Sequence, residues 1–204
     1  LIAPLVQGEV TVQGGALTLG IEANALKSLS GNADFALGNF LSGTAALLPE
    51  TTQTDIHATA TAALVAPLRA DDALLSAGQV TLAVHGPTVQ IEAGQVALQY
   101  RDAADGTLEL TPSDDVRQLS GTGTATLRPG QVWGDLQVVT GSIAIDVQRN
   151  RVEQALGDAT FAYKSLAEGQ LSFDARKDFS EVTGTAAATL TADVPLTAPL
   201  VLKA

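Results

Sequence analysis

The apolar residues of this chain alternate with polar or small ones at a period of two, and the alternation returns in step, without a gap, every 63 residues. Leu17, Leu19 and Ile21 become Val80, Leu82 and Val84, then Ile143, Ile145 and Val147. Ala33, Phe35 and Leu37 return as Val96, Leu98 and Tyr100 and as Ala159, Phe161 and Tyr163. Ala45 and Leu47 return as Leu108 and Leu110 and as Leu171 and Phe173. A fourth strand starts near Ile56, Leu119 and Val182, and a fifth passes through Val12, Leu75, Val138 and Val201. A period of two marks a half-buried strand, because successive side chains leave opposite faces of the pleat. The stretches 22–30, 85–93 and 148–156 alternate less clearly. They read as an irregular sixth strand, although Ala25-Leu26 and the run from Val152 to Leu156 also allow a helical turn.

Recurring glycines fix the frame: Gly15, Gly78 and Gly141; Gly31, Gly94 and Gly157; Gly43, Gly106 and Gly169. Their unequal steps, 16 residues and then 12, disfavour a β-helix of uniform short coils. The expected fold is all-β, an elongated array of about three 63-residue repeats, each of five or six mostly antiparallel strands, in a twisted meander, β-groove or solenoid-like arrangement. Residues 1–14 end a preceding repeat, 15–77, 78–140 and 141–204 form repeats 1 to 3, and the last residue begins the next unit. Stacked along one axis, each copy adds about 24 to 29 Å. Turns rich in Asp, Pro and Gly separate the strands, as in Arg101 to Gly106, Thr111 to Asp115 and Arg128-Pro-Gly130. An even strand count lets the next copy enter with the same polarity, with no crossover.

The fourth strand carries the most pointed pattern. One face reads Ile56, Ala58, Ala60, Ala62, Leu64, then Leu119, Gly121, Gly123, Ala125, Leu127, then Val182, Gly184, Ala186, Ala188, Leu190. Small side chains between large end residues let a backbone, a facing layer or an acyl chain approach closely. Ala58, Ala60, Ala62, Gly121, Gly123, Ala125, Gly184, Ala186 and Ala188 are therefore the candidate packing or groove face. The opposite face carries Thr59, Thr61, Thr122, Thr124, Thr126, Thr183, Thr185 and Thr189, as expected of good strand formers on a wet side.

Composition narrows the function. The net charge of -11 and pI near 4.4 disfavour nucleic acid and anionic headgroups, which need clustered Lys and Arg. Cysteine is absent, so no disulfide or thiolate metal site exists. His57 corresponds to Ser120 and Thr183, and His85 to Glu22 and Gln148, so the histidines stand outside the shared pattern and read as surface residues. Asp71-Asp72 and Asp114-Asp115 sit in turn contexts and lack calcium-loop spacing. Trp133, opposite Ala70 and Leu196, reads as the cap of a local cluster. No catalytic constellation, cofactor or metal is expected, and no apolar run reaches the roughly 20 residues of a membrane helix. The start at Leu1, equivalent to Leu64, reads as a segment of something longer or a processed product.

The stretch Leu119-Ser-Gly-Thr-Gly-Thr-Ala-Thr-Leu127 and its partners resemble the tandem β-repeat regions of very large bacterial secreted or surface proteins. That resemblance implies an extracytoplasmic, non-enzymatic stalk, fibre or spacer whose partners are neighbouring repeats or copies of itself. The pattern also resembles the TamB/AsmA group of bridge-like lipid-transport proteins, which implies a hydrophobic β-groove that binds or conducts acyl chains. A structural module predicts sealed apolar faces; a conduit predicts one open channel through all copies.

Overall fold

The structure is a computed structural model that describes residues 5–7, 10–49, 51, 55–70, 73–86, 88–176, 181–197 and 200–202. After β1 (Leu5–Gln7) come β2 (Val10–Glu22), β3 (Ala25–Leu37), β4 (Leu41–Leu47), β5 (His57–Leu64) and the short β6 (Leu68–Ala70). The succession returns as β7 (Ala73–His85), β8 (Thr88–Tyr100), β9 (Ala104–Leu110), β10 (Gly121–Leu127) and β11 (Val132–Trp133). It returns again as β12 (Leu136–Gln148), β13 (Arg151–Tyr163), β14 (Ala167–Arg176), β15 (Glu181–Leu190) and β16 (Val194–Thr197), followed by β17 (Leu200–Leu202). Among the described residues there is no helix.

One antiparallel sheet takes in β1 to β15 in the order β1-β2-β3-β4-β5-β7-β8-β9-β10-β12-β13-β14-β15, with β6 beside β7 and β11 beside β12. Its path among the described residues is open at both ends, and β16 pairs with β17 in a separate two-stranded sheet. Five strands per copy result when the short one is counted. The pieces that look separate in sequence on either side of Gly15 or Gly31 are halves of single 13-residue strands, and the same holds at Gly78 and Gly94 and at Gly141 and Gly157. The irregular sixth strand is thus the first half of β3, β8 or β13. These glycines do not break the strand. Gly78 keeps it continuous at φ 151°, where a Cβ would lie 2.6 Å from the Cα of Val96, an approach that only glycine accepts.

The backbone repeats in detail. Positive φ occurs at Gly38, Arg101 and Lys164, 63 residues apart, and in the hairpin turns at Ala23, Gly86 and Arg149. The amide of Val65 donates to the carbonyl of Phe40 (2.8 Å), that of Arg128 to Ala103 (2.7 Å) and that of Thr191 to Leu166 (2.8 Å). In the β2–β3 pair Gln13 and Lys27 are bulged out of register; in β12–β13 it is Val139 and Glu153, two periods later. A bulge bends its strand and increases the local twist, so the same bends recur at the same places.

Successive pairings are also staggered. The second half of β3, Asn32 to Leu37, faces β4, whereas it is the second half of β7, Gln79 to His85, that faces β5. Stagger of this kind accompanies coiling of a sheet. The chain divides into two compact units, Leu1–Arg69 with Leu75–Ala97 and Leu108–Gly121, and Ala70–Leu74 with Leu98–Thr107 and Thr122–Ala204. In the first, Leu75, Leu82, Ile91, Val96 and Leu108 are buried; in the second, Leu98, Leu127, Val138, Val147 and Val152 are. With no helix among the described residues and only one small second sheet, each unit's core is enclosed by strands of the large sheet itself.

Leu82 is 0% exposed and its counterpart Leu19 is 57% exposed. Leu82→Ala is expected to destabilise the protein by about 2–5 kcal/mol, and Leu19→Ala by less than about 0.5 kcal/mol, in urea unfolding followed by circular dichroism. Equal losses would mean that the two positions share one environment.

Candidate functional site

The small-residue face is set by strand pairing. Ala58, Ala60 and Ala62 on β5 lie opposite Leu47, Ala45 and Gly43 on β4 and opposite Val84, Leu82 and Val80 on β7. All three alanines are buried, and the row meets Leu47 and two small residues on the β4 side and three larger residues on the β7 side. A Cβ on Gly43 would stand 2.6 Å from the Cα of Ala62, so backbone meets backbone there. In β10, Gly121 and Ala125 are buried and Gly123 is half-buried. In β15, Gly184, Ala186 and Ala188 are exposed. They pair with Phe173, Leu171 and Gly169 on β14, and among the described residues no strand lies on the other side of β15. The threonines of the opposite face, Thr59, Thr61, Thr122, Thr124, Thr126, Thr183, Thr185 and Thr189, all face solvent.

The second unit holds an apolar cavity of ≈ 720 Å³. Its walls include Tyr100 at the end of β8, Leu127 of β10, Ile143 of β12, Leu171 and Phe173 of β14 and Ala186 of β15. Since β8 and β15 lie six places apart in the strand order, the sheet of this unit curls round the space. Phe173 also covers Gly157, where any Cβ would run into its ring. Glycine here makes room for an aromatic side chain on the neighbouring strand. At the rim, the guanidinium of Arg128 grips Asp105 through Nε to Oδ2 (2.5 Å) and a terminal nitrogen to Oδ1 (2.6 Å), and Gln131 donates to the carbonyl of Asp102 (3.0 Å). The hydrogen bond from Arg128 holds the Asp105 carboxyl below the usual carboxylate range, against a small opposing effect of burial. Both groups are largely solvated, so the pair fixes the turn more than it stabilises the fold.

The histidines, read from sequence as surface residues outside the shared pattern, meet one another in the structure. His57 and His85 are direct partners in the β5–β7 ladder, with Nδ1 to Nδ1 at 3.1 Å and rings edge to face. Asp55 accepts from Nε2 of His57 at 3.0 Å. One proton shared between two Nδ1 atoms satisfies this geometry; a proton on each does not. The signal was present in the sequence, since 57 and 85 become opposite once the strands on either side of a copy boundary are paired. Asp114 and Asp115 stabilise their turn: Asp114 accepts from Gln90 (2.7 Å) and Asp115 from the amide of Arg117 (2.9 Å). Among the described residues no group of three or more His, Asp or Glu is arranged to hold a metal. Asp71, Asp72 and the side chain of Trp133 lie outside the described residues.

No protein-family model matches this chain, and neither the curated proteins nor the solved structures contain a match.

Ala60→Leu is expected to overpack the β5 face and cost about 1–3 kcal/mol, whereas Ala186→Leu at the equivalent place in β15 is tolerated; thermal melts of both variants check this.

Proposed function

We propose that this chain is a non-enzymatic structural repeat module, a length of stalk, fibre or spacer in a large extracytoplasmic protein. One observation carries the reading. The pairing across the first copy boundary, β5 with β7, runs through seven consecutive residue pairs from His57↔His85 to Ala63↔Gln79, as many as β4 makes with β5 inside the copy. A boundary stitched as firmly as the interior makes extension by further copies a repetition of contacts already present, with no new chemistry. The burial of Leu75, Leu82, Leu98 and Leu108 supports the same reading, since the recurrent apolar face is filled by its own side chains.

The ≈ 720 Å³ cavity favours a second reading, the binding of an acyl chain. Tyr100, Arg101 and Asp102 give it a polar rim over an apolar wall, the arrangement that suits a lipid tail.

Both readings meet in one experiment. A chain with a second copy of residues 78–140 inserted after residue 140 is produced in lipid-containing cells and examined by circular dichroism and native mass spectrometry. The structural module predicts unchanged ellipticity per residue, a melting temperature no lower than that of the parent, and no bound lipid. Loss of folding in the extended chain contradicts it, and stoichiometric co-purified lipid selects the second reading.

A further inference from the structure

We infer that His57 and His85 form a site for one divalent transition-metal ion of the zinc class, held through both Nδ1 atoms across the β5–β7 boundary. The strand ladder builds the site. The carbonyl of His57 accepts from the amide of Leu48 (2.8 Å) and its amide donates to the hydroxyl of Thr51 (3.1 Å), so its backbone polar groups point to the β4 side. The pairing of His57 with His85 is therefore of the non-hydrogen-bonded kind, in which directly opposed side chains approach most closely. The backbone is held firmly here. The buried Thr51 hydroxyl also donates to the His57 carbonyl (2.6 Å), and just beyond the pair the amide of Gly86 donates to the carbonyl of Ile56 (2.7 Å).

Asp55 supplies an independent observation. By accepting from Nε2 of His57 at 3.0 Å it keeps a proton on that nitrogen, which in the neutral imidazole leaves Nδ1 as an electron-pair donor. That electron pair meets Nδ1 of His85 at 3.1 Å. A carboxylate behind an imidazole is the device by which metal sites set the tautomer of a ligating histidine. The spacing fits as well. Two nitrogens each bound at about 2.0–2.1 Å to a tetrahedral Zn2+ stand about 3.3 Å apart, so the rings need to open by only about 0.2 Å. Small turns about the soft χ2 torsions supply that opening. On binding, the His85 proton moves from Nδ1 to Nε2 through solvent and none is released. His85 is exposed, so water completes the coordination shell. Imidazole nitrogen suits Zn2+, Ni2+ and Cu2+, whereas Mg2+ and Ca2+ take oxygen. The sequence has only two histidines, and they are direct partners at one boundary; the same two places one period on hold Ser120 and Gln148. The ion clips β5 to β7 at that boundary alone.

The inference goes beyond the repeat-module reading, which keeps its own test by copy insertion, and either can fail alone. Zn2+ is titrated into the full-length chain at neutral pH by isothermal titration calorimetry, and the imidazole nitrogen shifts are followed by NMR. The expected result is one Zn2+ per chain, movement of the Nδ1 resonances of both histidines, a melting temperature that rises with zinc, and no response to Mg2+. His57→Ser and His85→Gln, which install the residues found at 120 and 148, are each expected to abolish saturable binding and the zinc-dependent rise. Asp55→Asn, at a positioning residue, is expected to weaken binding about tenfold. Absence of saturable binding, binding that survives either histidine substitution, or ligation through Nε2 overturns the inference. The nitrogen shifts are read on the unmodified chain, so the answer does not depend on any variant folding.

Discussion

Everything in this protein follows from a sheet with one apolar face and, among the described residues, no helix to cover it. Burial of that face is the main favourable contribution to folding, on the order of 25 cal/mol per Å² of apolar surface removed from water. Residues such as Leu82, Leu98 and Leu108 are nevertheless fully buried. Within each unit the strands must therefore enclose their own apolar face, which requires bends, and the bends come from bulges at fixed places and from glycines that admit close backbone approach. The stagger of successive pairings works in the same direction.

Such a sheet makes the environment of a residue a property of its neighbours more than of its own strand. Leu19 and Leu82 hold equivalent positions in equivalent strands, yet one is open to solvent and the other sealed, because β5 lies beside Leu82 while Leu19 has β3 on one side and no described strand on the other. Ala60 and Ala186 differ for the mirror-image reason. Cavity space in the second unit is the residue of the same construction, where the curling sheet is lined by large side chains of β12 and β14 but by small ones of β15.

Much of this was legible in the sequence. The period of two along Leu17, Leu19 and Ile21 and the return of each glycine at 63 residues specify strands, their order and their antiparallel pairing. Strand length was not legible, because a glycine such as Gly15 or Gly31 marks an end in most strands, and only the facing backbone reveals that it marks a bend here. The alternation sets the small residues on one side of their strand and the threonines on the other, and in β5 the small side is the buried one. What covers it was hidden, since alternation tells which face is apolar but not what meets it. The histidine pair was hidden differently: two residues without counterparts in the other copies look accidental until cross-boundary register places them face to face.

The central claim is that the copies are joined by full hydrogen-bonded strand pairing into one sheet. Native-state hydrogen exchange, resolved by residue, tests it most directly. The account predicts that the bonded amides of Ala58 to Ala63 and Gln79 to His85 exchange as slowly as those within the β4–β5 pair. Rapid exchange throughout the β5–β7 boundary, with protection confined to the interior of each copy, would contradict it.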